Sequence, residues 1–128
     1  MRSNDLLALA KDALAAAGEA EAEIFARSRS RGVARFAIGE LGQHMQLEES
    51  SVVVRVARGK RVAESSTSAL DQGSVVEAIR RAAEIAAVAP ELEGFPGFCE
   101  GGTPNEVYDS PRRAASTVAA TADDRVAL

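Results

Sequence analysis

From Met1 to Gly18 the apolar positions Leu6, Leu9, Ala10, Ala13, Leu14 and Ala17 recur at three- and four-residue spacing. Ser3 or Asn4 suits the N-cap and Gly18 the position just past the last turn, so the pattern predicts a helix from about Asn4 to Ala17. From Ala22 to Phe36 the period falls to two, with Ile24, Ala26, Ser28 and Ser30 on one face and Phe25, Arg27, Arg29 and Arg31 on the other. That is a strand, with a break expected at Gly32. Ile38 to Glu48 alternates again, Gln43, Met45 and Leu47 against His44, Gln46 and Glu48. Gly42 signals a bulge there, and Glu48-Glu49-Ser50 a polar turn. Ser51 to Arg58 (SVVVRVAR) is Val-rich enough for a central strand. Arg58-Gly59-Lys60 predicts a hairpin turn, and Arg61 to Thr67 the returning strand. Asp71 or Ser74 then caps a second amphipathic helix with Val75, Ile79, Ala82, Ala83 and Ala86 on its apolar face, closed at Ala89-Pro90.

The order helix, about four antiparallel strands, helix predicts an α+β two-layer domain with both helices on one face of the sheet. Residues 1–90 make this domain, and 91–128 an irregular arm and the start of a following segment. The arm, ELEGFPGFCEGGTPNEVYDSP, lacks periodicity and holds three of the four Pro. The last eight residues, TADDRVAL, place Asp124 three positions after Thr121, the spacing of a capping box. A helix shorter than about 12 residues is marginal on its own. The cap therefore reads as the first turns of something longer, and the chain is expected to be truncated.

Composition narrows the chemistry. At 128 residues the chain suffices for a core without staples, but aromatics make only 4% and Trp is absent. A core of small side chains buries little area per residue, so modest stability is expected. The net charge of −4, from 15 basic and 19 acidic residues, gives no global pull toward nucleic acid or an anionic membrane. One Cys, Cys99, excludes an internal disulfide, and the apolar stretches fall short of the roughly 18 residues of a membrane span. The Asp and Lys inside the first amphipathic run do not fit a signal peptide, and a cytoplasmic setting is expected.

A catalytic zinc takes three protein ligands, mostly His, and this chain has only His44. HExxH is absent, and so is a second His to serve as base for a nucleophile. No catalytic or metal-binding residue is therefore assigned. His44 reads as a surface residue of its strand, Cys99 as an incidental thiol beside Glu100, and Ser65 to Ser68 as a strand-end cap. Gly101-Gly102 lacks the Lys and helix of a phosphate loop. The remaining cluster is basic: Arg27, Arg29, Arg31 and Arg35, with Arg55, Arg58, Lys60 and Arg61 from the next hairpin. Such a face suits an acidic peptide, RNA or a partner domain, but it is balanced by Glu40, Glu48, Glu49 and Glu64. RNA also calls for stacking aromatics, and only Phe25 and Phe36 qualify.

Ala34 to Ala86 resembles the N-terminal domain of the TldD/PmbA family of metallopeptidases, also described as modulators of DNA gyrase. The features that carry the resemblance come in order: Arg35-Phe36, Gln43, Val54-Arg55-Val56, Gly59-Lys60-Arg61, the run Ser65 to Ser68, Leu70-Asp71 and an Ala-rich helix. Phe95-Pro96-Gly97 and Tyr108-Asp109 are similar to the family's linker. Many members have Asn where Ile38 stands here. The resemblance implies a longer protein whose C-terminal domain carries zinc on HExxxH in the TldD branch and lacks it in the PmbA branch, two homologous subunits pairing to process peptides. None of that domain is present, so the chain alone is expected to be inactive.

The resemblance makes the chain a non-catalytic N-terminal domain contributing to a subunit interface and a peptide cleft, with Arg35, Phe36 and Arg55 as candidate contacts and Arg55 the most structural of the three. The alternatives are a free-standing module whose Arg-rich face binds nucleic acid or an acidic protein, and a truncated gene product without function.

Overall fold

The computed structural model of the chain describes residues 3–38, 40–99, 114–121 and 123–124. The elements are α1 (Ser3–Leu14), extended by a 3-10 turn at Ala15–Ala17, β1 (Glu21–Ala37), β2 (Glu40–Arg58), β3 (Arg61–Thr67), α2 (Gln72–Val88) and the short α3 (Ala115–Ala119). The sheet is antiparallel with order β1-β2-β3, so the architecture is α+β. Where about four strands are expected, the described residues form three. The two stretches expected as Ile38 to Glu48 and Ser51 to Arg58 merge into one strand of 19 residues that begins at Glu40, Ile38 lying in the turn before it, and β1 crosses Gly32 without a break. Polar residues and a glycine weaken a strand only modestly when neighbouring backbones hold it extended. Ser50, expected in a turn, stays in β2 and donates its hydroxyl to the carbonyl of Ser68 (2.5 Å).

The chain divides into two compact units, Met1–Arg29 with Glu48–Cys99, and Ser30–Leu47 with Glu100–Leu128. The core lies in the first. Val52, Val54 and Val56 of β2 are fully buried, facing Val75, Ala78, Ile79 and Ala82 of α2 and Ala13 of α1. Ala22, Ile24 and Ala26 of β1 pack at its margin. From Val52 to Val56 every second residue of β2 enters this cluster, as a strand with one face under helices requires. Ala78 belongs to the buried stripe of α2 beside the expected face, while Ala83 packs at its edge.

Local chemistry sets the element ends. Asp71 caps α2, its carboxylate accepting from the amide of Ser74 (2.9 Å). Gly18 closes the first helical segment at φ +62. The β2–β3 hairpin pairs Arg58 with Arg61 across a two-residue turn, with Gly59 at φ +61 in its first position, the arrangement of a type II′ turn. In the second unit, Ile38 takes φ +54 and its side chain is 104% exposed. A β-branched residue in the left-handed region is an outlier, whereas Asn tolerates it. Thr121 and Asp124 form the expected reciprocal cap. The amide and hydroxyl of Thr121 donate to the Asp124 carboxylate (2.8 Å each), and the amide of Asp124 returns a bond to Thr121 Oγ1 (3.2 Å). Arg125 to Leu128, Gly101-Gly102 and Tyr108-Asp109 lie outside the described residues.

Candidate functional site

Arg55 stands in β2 between two core valines, so alternation turns its side chain to the face away from the helices. There it bonds Glu23 of β1 through Nη1 (2.5 Å), with both side chains nearly half exposed. Glu64 lies directly opposite it on β3. The guanidinium also sits 5.1 Å from the ring centroid of Phe98, which meets Phe95 edge-on at 5.2 Å. A partly exposed ion pair contributes up to about 1 kcal/mol, and a cation–π contact at such a site about 0.5–1 kcal/mol. Arg55 therefore ties its own sheet together.

Phe98 reaches Arg55 because the segment after α2 folds back. The amide of Leu92 donates to the carbonyl of Lys60 (2.9 Å), and the amide of Phe98 to the carboxylate of Glu21 (3.0 Å). Arg61 holds the start of the segment, bonding the carbonyl of Ala87 (3.1 Å) and approaching Glu91 at 3.7 Å. Gly97 takes φ +97, and a Cβ there would stand 3.4 Å from the Glu21 carboxylate. The segment is irregular, as its composition predicts, but it is fastened across the sheet face. Glu23 carries a sequence signal, since it shares the alternating face of Arg27. Phe98 carries none, because it lies in a stretch without periodicity.

Arg35 and Phe36 belong to the second unit. Both are exposed on β1, Phe36 by 48%, and Gly42 lies against the backbone of Arg35 with 3.7 Å between the Arg35 carbonyl and a Cβ placed at the glycine. The other arginines of β1, Arg27, Arg29 and Arg31, are exposed too. Among the described residues none of these four makes an ion pair. His44 is exposed on β2, and Cys99 is an exposed free thiol. Among the described residues no three of His, Cys, Asp and Glu converge to hold a metal ion, and no helix is long and apolar enough to cross a membrane.

Openings lined by described residues of the first unit include two. One, of about 510 Å³, is lined by Ala17 to Glu21 and by Ala57 to Gly59, beside the β2–β3 turn. The other, of about 330 Å³, is apolar and lies between α1 and β1.

No family model and no curated protein matches the chain. Among solved structures it is similar to TldE from Thermococcus kodakarensis, with a TM-score of 0.65 and 19% identity, over 94% of this chain. The chain spans 26% of the length of that structure. At this identity the likeness establishes a TldE-like fold.

Proposed function

We propose that this chain, folded like a quarter of TldE, is a non-catalytic domain of a TldD/PmbA-type peptide-processing assembly. In that assembly it lines part of a peptide cleft and part of the interface with a homologous subunit. The observation that carries the reading is the extent of the likeness, 94% of the chain. The order of Arg35-Phe36, Val54-Arg55-Val56 and Gly59-Lys60-Arg61 supports the same reading. Hydrolysis is assigned to the catalytic domain of the assembly, which supplies zinc in the TldD branch.

The means of contact is the exposed strand β1. An extended peptide gains main-chain hydrogen bonds along a sheet edge, while Arg35 offers a fork for its carboxylates and Phe36 an apolar surface. Arg55 is a structural residue of the first unit, since Glu23 and Phe98 already engage it. The test mixes the purified chain with peptide and with a cognate catalytic domain. Binding to either, weakened by Arg35→Ala, is expected; binding to neither removes the role.

The exposed arginines of β1 favour a second reading, a free-standing module for nucleic acid or an acidic protein. It requires affinity that falls steeply with salt, because phosphate contacts release counterions. Salt-independent binding of an oligonucleotide rejects it.

A further inference from the structure

The apolar opening between α1 and β1 is lined by Leu6, Leu7 and Ala10 on the helix and by Ile24, Phe25 and Ala26 on the strand. Side chains of a strand alternate between faces, so three consecutive residues line one groove only where the strand is approached along its edge. β1 is an edge strand of the described sheet. Leu7 on the helix side of the groove is 51% exposed, and Phe25, which alternation sets on the face of Arg27 and Arg29, is 67% exposed. Within the same unit the strand continues into Arg27 and Arg29, both exposed, and among the described residues neither makes an ion pair. The site thus combines an apolar groove, a strand edge and two guanidinium groups on the opposite strand face from Ile24 and Ala26.

We propose that this groove docks an extended peptide in which apolar and carboxylate side chains alternate. The peptide adds to β1 as a further strand of about six to eight residues, long enough at ~3.3 Å per residue to run from the groove past Arg29. Its apolar side chains enter the groove on the helix side. The intervening carboxylates project to the other face, beside Arg27 and Arg29, where charge-assisted bonds form. A second copy of the chain is a poor occupant: pairing β1 with itself about Ser28 opposes Arg27 to Arg29, and pairing about Phe25 opposes these arginines to Glu23 and Glu21, carboxylates that Arg55 and the Phe98 amide already engage. Nucleic acid uses the arginines but leaves the aliphatic groove and the strand edge unfilled. This inference rests on the peptide-binding reading above, yet it depends on Leu7, Arg27 and Arg29 in place of Arg35 and Phe36.

The experiment uses the full chain and fluorescent eight-residue peptides measured by anisotropy. One peptide alternates Glu and Leu; the other has the same composition in two blocks. The alternating peptide is expected to bind at least about tenfold more tightly than the block peptide, a difference of about 1.4 kcal/mol. Leu7→Glu, placed on a half-exposed helix position, and the pair Arg27→Glu with Arg29→Glu should each weaken it by a similar factor, with circular dichroism unchanged. The arginine pair should also flatten the salt dependence. If neither peptide binds, both this site and the peptide-binding reading fall. If both bind equally, or the variants bind as the wild type does, the groove assignment alone falls. Displacement of the alternating peptide by single-stranded DNA, or a dimer in sedimentation that Leu7→Glu dissociates, also overturns it in favour of those occupants.

Discussion

Replacing Ile38 by Asn should stabilise the protein. Ile38 holds φ +54 at the end of β1, and its side chain is 104% exposed, so it gives up no burial when replaced. The left-handed conformation costs a residue with a Cβ about 1–2 kcal/mol, and Asn is among the few residues that visit it routinely. The expected gain is about 1 kcal/mol, or a rise in Tm of about 3–5 °C for a chain of this size. Urea denaturation followed by circular dichroism reads this as a higher midpoint at unchanged slope. Ile38→Val is the control, since it keeps the β-branch and should leave the midpoint in place. Amide exchange within Ser30–Leu47 reads the same gain if this hairpin opens before the core does. A midpoint and exchange rates unaltered by Asn, or an equal response to Asn and Val, would refute the strain argument.

Three further outcomes are expected. Ile79→Ala empties a fully buried position facing the β2 valines and should cost about 3–4 kcal/mol in denaturant titration, enough to unfold much of a modestly stable domain at 37 °C. Asp71 has its carboxyl held below the usual range by bonds from the Ser74 hydroxyl and amide. The stability this adds is present in full above the unfolded value of about 3.9 and is lost as pH falls through the lower folded value. The stability difference between wild type and Asp71→Asn should therefore stay constant at neutral pH and shrink below about pH 4; a constant difference down to the lowest pH measured would contradict the assignment. Gly97→Ala places a Cβ at φ +97, a conformation that strains any L side chain, so it should cost about 1 kcal/mol or more and expose the 91–99 segment to limited proteolysis.

The candidate site is legible in the sequence only in part. Arg55 reads there as the most structural of the three proposed contacts; in the structure it meets Glu23 and Phe98, and its pairing with neither follows from spacing. Glu23 lies far from Arg55 in sequence, and Phe98 sits in a segment whose composition predicts only irregular chain. The groove between α1 and β1 is hidden for another reason. Leu6 and Ala10 read as positions of an amphipathic helix packed on a core, and only the placement of that helix beside β1 leaves Leu7 open to solvent next to the strand. The reciprocal bonds of Thr121 and Asp124, by contrast, are fully legible, because their geometry spans three residues.

By itself the sequence determined whatever depends on short-range periodicity and local bonding. The two helices and their apolar stripes, the Asp71 cap, the Gly59 turn and the α+β order all follow from residues within one or two turns of each other. Tertiary structure decided continuity and contact. Glu48-Glu49-Ser50 and Gly32 are turn or break signals in isolation, yet the sheet keeps β1 and β2 extended through them, because paired backbones outweigh a local preference of a fraction of a kcal/mol. The path of residues 91–99 onto Arg55 was likewise settled by distant partners, Glu21, Lys60 and Arg61, whose meeting no local pattern encodes.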